Sequence, residues 1–390
     1  MNSAASSTSS AALASSAALA PFDALVLMSF GGPERPEEVL PFLQNVTRGR
    51  GIPDERLVEV GEHYYGFGGK SPINEQNREL RAALEAEVAR RGLDVPVLWG
   101  NRNWNPYLTD VVREQAKDHG RTRFLAIDTS AYSSYSSCRQ YREDFWKTRI
   151  ALAEEGLEVS FDKIRQYYNH PGFARAELDC VRRGLAEFTE LVGTLDPRTH
   201  RVLFTTHSIP QGMQDASEAE TAGYRAQHEA LIEWVVGELG GAMPLDWELV
   251  YCSRSGAPHV PWLEPDINDR MEELKESGVE GVLAVPLGFV SDHMEVAFDL
   301  DTEARQTAAD LGLAYVRAAT VGTHEEFVAG LVDLALERAA QARGEDPEAP
   351  AVTAEGPLGP GSGACSIACC RGVREREVHP TWPAVTADAS

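Results

Sequence analysis

The sequence has few of the features of membrane proteins or nucleic-acid-binding proteins. No apolar run approaches the roughly 20 residues that a transmembrane helix needs. Basic residues are scarce, because 36 Lys and Arg stand against 60 Asp and Glu, for a formal net charge of −24. Such a chain repels phosphate backbones and anionic lipid surfaces. We therefore predict no nucleic-acid partner and no membrane span.

Cysteine is also scarce. Six cysteines in 390 residues do not form the dense disulfide framework of a small secreted protein. Residues 1–20 are rich in Ser and Ala but lack the basic start and the continuous apolar core of a signal peptide. This composition predicts a disordered tail and a cytoplasmic protein.

The chain does contain short apolar runs that alternate with longer helical patterns. Strands are predicted at 24–30, 95–100, 122–130, 200–208, 247–253 and 281–289. Helices are predicted at 36–46, 74–91, 106–120, 176–192, 221–240 and 266–278. Strands buried on both faces and separated by helices are typical of βαβ units, so we predict an α/β fold with parallel sheets. Ligands of such sheets bind at the carboxyl ends of the strands.

The length and the order of these elements predict two domains of ordinary size. A second series of strands starts after the LDPRTH segment at 195–200. The predicted units are a tail at 1–20, an N-terminal α/β domain at 21–185, a C-terminal α/β domain at 186–340, a Pro/Gly-rich linker at 341–364 and a cysteine-containing tail at 365–390.

Acidic residues are concentrated in GFVSDHMEVAFDLDTEAR, at 288–305. Glu295, Asp299 and Glu303 follow one another at intervals of four, so on an α-helix they project from one side. Like charges at this spacing destabilise an isolated helix. A row of hard oxygen ligands suits a divalent cation that moves along it, whereas the alternative is a solvated acidic face.

A histidine follows another predicted strand, in VLFTTHSIP at 202–210. His207 is thereby expected at the rim of the ligand crevice. An imidazole with an ordinary pKa near about 6.5 can accept a proton or bind a metal, although a structural hydrogen bond is the alternative. We expect His207 and the carboxylates to face each other, with the proton acceptor on one side and the cation delivered from the other.

Five motifs together carry a family resemblance that extends over residues 22–338. They are LMSFGGP (27–33), FGGKSPIN (67–74), THSIP (206–210), SRSGAPHVPWLEPDI (253–267) and GFVSDHMEVAFDLD (288–301). The chain resembles ferrochelatases, which insert Fe²⁺ into a porphyrin. The resemblance implies two similar Rossmann-like, chelatase-type domains with the porphyrin in the cleft between them.

The resemblance also assigns roles to individual residues. His207 and Glu295 match the metal-site and catalytic pair, and Asp299 and Glu303 match the acidic path that leads to it. His207, neutral at working pH, would accept the porphyrin N–H protons, while Glu295 binds Fe²⁺ on the opposite face of the ring. Residues that match or neighbour porphyrin-binding positions are Ser71, Tyr64, Tyr141 or else Tyr135, and Arg48. Phe30 lies where related enzymes can carry an iron-binding tyrosine; it cannot bind a metal and is predicted to be a ring wall.

The cysteine-rich segment GACSIACCRG has a counterpart in the same family. Ferrochelatases of actinobacterial and animal type bind a [2Fe-2S] cluster through one internal and three C-terminal cysteines. The matching residues are Cys138, Cys365, Cys369 and Cys370. A zinc site, a redox disulfide or no cofactor are the alternatives, and Cys180 and Cys252 are predicted to be core thiols.

The substrate is predicted by analogy. NVTRGRG, GNRNW and the cysteine-containing tail are typical of actinobacterial enzymes, whose haem route usually passes through coproporphyrin III. We expect a monomeric enzyme that acts on this porphyrin and on Fe²⁺ and works beside other haem-pathway enzymes. The alternatives are a protoporphyrin IX ferrochelatase, a Co²⁺ or Ni²⁺ tetrapyrrole chelatase, and a non-catalytic haem or porphyrin carrier.

Overall fold

The computed structural model describes residues 18–49, 51–219, 221–255, 259–345, 354–361, 366 and 369–372. Within them the strands are β1 (Ala24–Ser29), β2 (Val97–Asn101), β3 (Arg123–Asp128), β4 (Ser160–Lys163), β5 (His200–His207), β6 (Asp246–Cys252), β7 (Gly281–Val285) and β8 (Ala314–Arg317). The α-helices are α1 (Pro36–Val46), α2 (Asp54–Tyr65), α3 (Ile73–Arg90), α4 (Leu108–His119), α5 (Gln140–Glu154), α6 (Pro171–Val192), α7 (Gln211–Glu218), α8 (Tyr224–Leu239), α9 (Ile267–Glu276), α10 (Arg305–Leu311) and α11 (Glu325–Ala342). Two π-helices, π1 (Tyr135–Arg139) and π2 (Val296–Ala304), and a 3₁₀ turn (Gly240–Ala242) complete the description.

The strands form two four-stranded parallel sheets with the same topology. One has the order β2-β1-β3-β4 and the other β6-β5-β7-β8, and every strand pair is parallel. This confirms the predicted α/β class with its repeated Rossmann-like arrangement. β4 and β8, which were not predicted, are four-residue edge strands. SFDK has a single apolar residue, and the apolar part of AYVR is only three residues long.

Both faces of the central strands are covered by helices. In β1, Leu25 and Leu27 belong to one hydrophobic cluster, whereas Val26 and Met28 belong to another. All four side chains are fully buried. Because successive strand residues point to opposite faces, a strand with helices on both sides must be apolar at every position. This is why these strands were recognisable as uninterrupted apolar runs.

Long helices connect the two halves of the molecule. α6 passes through the predicted domain boundary at 185–186. α11 packs against α6 and also against α3 of the first half. Arg91, directly after α3, donates to the Ala329 carbonyl at 3.0 Å and pairs with Asp333 at 2.5 Å. The C-terminal helix therefore ties the second half of the chain to the first.

The start of α6 depends on a buried histidine. Nδ1 of His170 accepts the Gly172 N–H at 3.1 Å, which caps the helix. Nε2 therefore carries the proton, and it has no hydrogen-bond partner among the described residues. Burial, with help from nearby arginines, lowers the pKa of His170 to about 3. This imidazole is neutral in the folded protein.

The predicted tail and linker are partly ordered. Ala18–Ala20 form a turn in which Leu19 is 1% exposed, and Arg343 donates to the carbonyls of Ala18 and Ala20. Residues 341 and 342 belong to α11, and residues 354–361 contact the loop before α6 through Asn169. Residues 1–17 and 373–390 lie outside the described residues. Among the helices that are described, none is both long and apolar enough to span a bilayer.

Candidate active site

His207 is the last residue of β5, which lies between β6 and β7. Its Nδ1 is hydrogen-bonded to the Ser208 carbonyl. Since a carbonyl only accepts, Nδ1 carries a proton and Nε2 is directed away from the backbone. Nε2 lies 3.6 Å from Oε1 of Glu295. The structure thus brings together the two residues that the sequence placed after separate strands.

Glu295 lies between two imidazoles. Its Oε2 is 3.7 Å from Nδ1 of His293, and half of its side chain faces the cleft. Burial opposes ionisation of Glu295, but His207 and His293 outweigh it and lower its pKa to about 2. Burial likewise opposes the charge on His207, but Glu295 outweighs it and raises the pKa of His207 to about 9. Each group thus favours the charged form of the other, so the directions of both pKa shifts favour an imidazolium–carboxylate pair over the neutral His207 expected from the sequence.

The short distance between His207 and Glu295 also contradicts their expected placement on opposite faces of a porphyrin. An aromatic ring needs about 3.5 Å to the atoms on each side, hence roughly 7 Å between them. The observed 3.6 Å between Nε2 and Oε1 leaves no space for a macrocycle. In this structure the two groups therefore lie on the same side of the cleft.

The acidic ladder (Glu295, Asp299 and Glu303) lies on a π-helix instead of the expected α-helix. Glu295 is the residue before π2, and the Thr302 hydroxyl donates to the Ala297 carbonyl five residues earlier. Such wider turns are rare and frequently occur at functional sites. Periodicity alone could not predict this, because a spacing of four keeps the residues on one side in either helix.

The environment of the ladder changes along its length. Asp299 accepts a hydrogen bond from the Ser253 hydroxyl. Burial, together with the charges of Glu295 and Glu303, raises the pKa of Asp299 to about 7. Glu303 is exposed, and partial burial together with the charge of Asp266 raises its pKa. The ladder therefore leads from the surface to the His207–Glu295 pair.

Arg317 of β8 neutralises the other two carboxylates of this segment. It bonds to both oxygens of Asp301 and to both oxygens of Asp292. In the part of the chain that the structure describes, no Lys or Arg forms an ion pair with any residue of the ladder. Among the described residues, the carboxylates of the ladder are thus not neutralised by a Lys or Arg side chain.

Two residues of this site were not assigned by the sequence analysis. His293 contacts Glu295, as described above. Ser253, which binds Asp299, has a left-handed backbone with φ of +62°. Non-glycine residues in this conformation are strained and cluster at functional sites. A detectable signal existed for both, since Ser253 directly follows a predicted strand and His293 lies inside the acidic motif.

An aromatic wall from the first half of the chain faces the site. The Phe42 ring packs edge-on against Phe30 at 6.3 Å, Tyr64 at 5.9 Å and Trp104 at 6.0 Å between ring centroids. Phe30 is 39% exposed, in agreement with a ring wall. Burial and the charge of Glu295 raise the pKa of Tyr64, in agreement with a position near Glu295.

A stacked pair of aromatic rings connects the aromatic wall with the acidic ladder. The His63 ring of α2 lies parallel to the Phe298 ring of π2, with 3.7 Å between centroids. His63 belongs to the first half of the chain and Phe298 to the second. The two faces of the cleft therefore meet at this contact.

The remaining predicted porphyrin residues are less accessible or more distant. Ser71 is 3% exposed and packs against Gly32. Tyr141 is 4% exposed, because it lies on the buried face of α5 with the Arg102 guanidinium 4.0 Å above its ring. Tyr135 donates to Glu143 at 3.2 Å, and its ring lies against Gly372. Arg48 is exposed in the turn after α1.

Three of the four predicted cluster cysteines fall within the described residues. Cys138, Cys369 and Cys370 are 5%, 4% and 1% exposed, and Cys365 lies outside the described residues. The Arg139 guanidinium donates to the Cys369 carbonyl at 2.9 Å, and the two adjacent sulfurs are 3.6 Å apart. The C-terminal segment therefore packs against π1.

A preformed metal site is not seen in the described portion of the chain. Within it, no three His, Cys, Asp or Glu side chains have the arrangement of a metal site. Cys180 and Cys252 are buried, in agreement with core thiols.

Comparison with known proteins supports the resemblance to ferrochelatases that the sequence motifs indicate. The family model described as Ferrochelatase matches residues 22–339. Coproporphyrin III ferrochelatase of Leifsonia xyli subsp. xyli is 53% identical over 369 residues, which cover 90% of this chain and 92% of the relative. The enzymes of the same name from Streptomyces griseus and Streptomyces coelicolor are 54% and 51% identical, again over 90% of this chain and 94% and 93% of the relatives. The chain belongs to the ferrochelatase family.

Proposed function

We propose that this protein is a coproporphyrin III ferrochelatase, a lyase of haem biosynthesis that inserts Fe²⁺ into the porphyrin. The observation that carries the proposal is the 3.6 Å His207–Glu295 pair, placed between an aromatic wall and an acidic ladder. The choice of porphyrin is supported by the names of the relatives that are about half identical to the chain.

The ladder provides the route for the metal. Fe²⁺ enters at Glu303, the exposed end of the ladder, and moves inward to Glu295. Carboxylate oxygens replace the water ligands that the ion loses on the way. On reaching Glu295, Fe²⁺ repels the proton on Nε2 of His207, because both positive charges compete for one carboxylate. The proton leaves, and a neutral imidazole remains.

The neutral imidazole then acts as the base. A free-base porphyrin must lose two N–H protons for each Fe²⁺ that enters, so the reaction is charge-balanced. Nε2 of His207 accepts these protons in turn and passes them to solvent. Because His207 and Glu295 share one face of the ring, protons leave and metal enters on the same side.

The porphyrin is held by the opposite wall of the cleft. Phe30, Tyr64 and Trp104 offer apolar ring surface for the macrocycle, and the buried Phe42 supports them from behind. Arg48, exposed in the turn after α1, is the candidate positive charge for the carboxylate side chains of the porphyrin. We assign Tyr141 a supporting role behind this wall, since its ring is covered by Arg102.

The decisive experiment is anaerobic Fe²⁺ insertion with coproporphyrin III and protoporphyrin IX in parallel. We expect the wild type to prefer coproporphyrin III, and His207→Ala and Glu295→Gln to bind porphyrin while losing insertion by at least about 100-fold. Glu276→Gln, on the exposed end of α9, is the control. A variant His207→Ala that retains turnover would exclude this mechanism, and faster insertion of Co²⁺ or Ni²⁺ would indicate another chelatase.

We further propose that Cys138, Cys365, Cys369 and Cys370 hold a [2Fe-2S] cluster. Buried thiols fit an anionic cluster in residue type, and the Arg139 guanidinium links the Cys369 backbone to π1. Such a cluster would supply one-electron redox chemistry and would tie the C-terminal segment to π1. Purified protein should contain iron and sulfide and absorb visible light, and Cys138→Ser should lose both. Cys180→Ser is the control; a colourless wild type without sulfide would contradict the assignment.

The same proposal extends to the setting of the enzyme. We infer a cytoplasmic monomer that delivers its product to neighbouring haem-pathway enzymes. The acidic chain and its few cysteines support this setting. Light scattering at micromolar concentration should give the mass of one chain, 42.6 kDa, and a doubled mass would contradict the monomer.

A further inference from the structure

A buried chain of hydrogen bonds lies directly behind His207. The Thr206 hydroxyl is 2.7 Å from the Tyr224 hydroxyl and 2.9 Å from Nε2 of His228. The Tyr224 hydroxyl also donates to the His207 carbonyl at 3.1 Å. Nδ1 of His228 is 2.7 Å from the Tyr224 carbonyl. Thr206 and His228 are fully buried and Tyr224 is 5% exposed.

The hydrogens of this chain can be assigned one by one. A carbonyl only accepts, so Nδ1 of His228 donates to Tyr224. The buried ring is neutral, because burial lowers its pKa to about 3. Nε2 of His228 is therefore a bare acceptor, and the Thr206 hydroxyl must donate to it. Because the Thr206 hydroxyl has then used its only hydrogen, it can only accept from the Tyr224 hydroxyl. The single hydrogen of Tyr224 is therefore shared between two acceptors, the Thr206 oxygen and the His207 carbonyl.

The far side of Thr206 is closed by Gly288. A Cβ added to Gly288 would lie 2.0 Å from the Thr206 hydroxyl oxygen and 2.7 Å from its Cα. No other residue type could occupy this position without displacing the end of β5. Thr206 is thus fixed between the backbone of the 286–290 segment and the polar chain.

A tyrosine from the first half of the molecule holds both sides together. The Tyr132 ring stacks on His228 with 3.5 Å between centroids. Its hydroxyl donates to the Leu287 carbonyl at 2.9 Å, next to Gly288. The strand end that carries His207 therefore cannot shift without breaking a contact to the other half of the chain.

We propose that Thr206, Tyr224 and His228 are positioning residues that set the place of the His207 imidazole relative to Glu295. They touch neither metal nor porphyrin. Each group in this chain donates to the next one, so the loss of one hydroxyl leaves a buried partner without a hydrogen bond. The end of β5 can then move. This inference rests on the proposed function of the His207–Glu295 pair.

The test compares two changes at Thr206 in the full-length enzyme. Thr206→Val keeps the shape and removes the hydroxyl, whereas Thr206→Ser keeps the hydroxyl. We expect kcat for Fe²⁺ insertion to fall about 10- to 100-fold in Thr206→Val, with KM for porphyrin unchanged, and to recover to within about threefold in Thr206→Ser. Tyr251→Phe is the control, because Tyr251 pairs with Thr206 in register and its hydroxyl binds only Arg225 among the described residues.

The outcomes separate this inference from the function on which it rests. An inactive wild type would refute the proposed function. An active wild type with kcat of Thr206→Val equal to that of Tyr251→Phe would refute the positioning role. If Thr206→Val does not fold, Tyr224→Phe removes a single hydroxyl from the same chain. It should lower kcat without changing porphyrin KM, and an unchanged kcat would likewise overturn the inference.

Discussion

Replacing Arg317 by Met should test how the acidic segment is stabilised. Met keeps most of the apolar stem and removes the guanidinium. The lost bonds are those to Asp301, at 2.7 and 3.0 Å, and to Asp292, at 3.2 and 3.3 Å. The Arg317 side chain is 13% exposed, while the two aspartates are about 30% exposed. The change therefore leaves Asp292 without its cation and leaves Asp301 with only the longer, exposed contact to Arg305.

The magnitude follows from this burial. Removing one partner of a fully buried ion pair costs about 3–5 kcal/mol, and an exposed pair contributes about 0–1 kcal/mol. With the guanidinium buried and both carboxylates a third exposed, we expect a loss of about 2–4 kcal/mol. The released charges also lie next to the ladder, so like-charge repulsion acts in the same direction.

The assay is urea unfolding at pH 7.5, with the free energy of unfolding compared between variants. Arg305→Met is the matched control, because Arg305 pairs with the same Asp301 at 3.6 Å but is 55% exposed. It should lose less than about 1 kcal/mol. Adding Asp292→Asn and Asp301→Asn to Arg317→Met should restore part of the loss. Equal losses in Arg317→Met and Arg305→Met would refute the reasoning.

Further predictions concern other sites. The pKa of His170 is about 3 in the folded state and about 6.5 in the unfolded state. The contribution of the neutral imidazole to the free energy of unfolding is therefore complete above pH 6.5 and is lost on acidification by about 1.4 kcal/mol per pH unit. In urea unfolding from pH 7 to 4, His170→Asn should reduce this slope by one proton, and an unchanged slope would contradict the assignment. Gly288→Ala should destabilise the fold by at least about 1–3 kcal/mol, because the added methyl group would collide with Thr206. Gly237→Ala should stabilise the fold by up to about 1 kcal/mol, because Gly237 lies within α8 and the added methyl group would meet no neighbour. Calorimetry that gives both changes the same sign would refute this. Asp299→Asn should raise KM for Fe²⁺ at unchanged KM for porphyrin in steady-state insertion, and the reverse would exclude Asp299 from the metal route.

Much of the fold was predictable because a central strand that is buried on both faces must consist of a continuous apolar run. β1, β3, β5 and β7 were found in this way. The edge strands β4 and β8 were not, since their burial depends on neighbours that the local sequence does not reveal. The same limit applies to Leu19, which lies in a Ser/Ala-rich stretch and yet is buried in the core.

The sequence alone determined the parallel α/β class and the family, because residue type and order carry these properties directly, and it predicted the residues proposed for the chemistry. Only the tertiary structure decided that His207 and Glu295 share one side of the cleft, that Arg317 neutralises the outer aspartates, and that Tyr224 and Thr206 stand behind the imidazole. Each of these is a contact between segments far apart in the chain. Distances of this kind depend on how the sheets and helices pack, which the local pattern of residues does not specify.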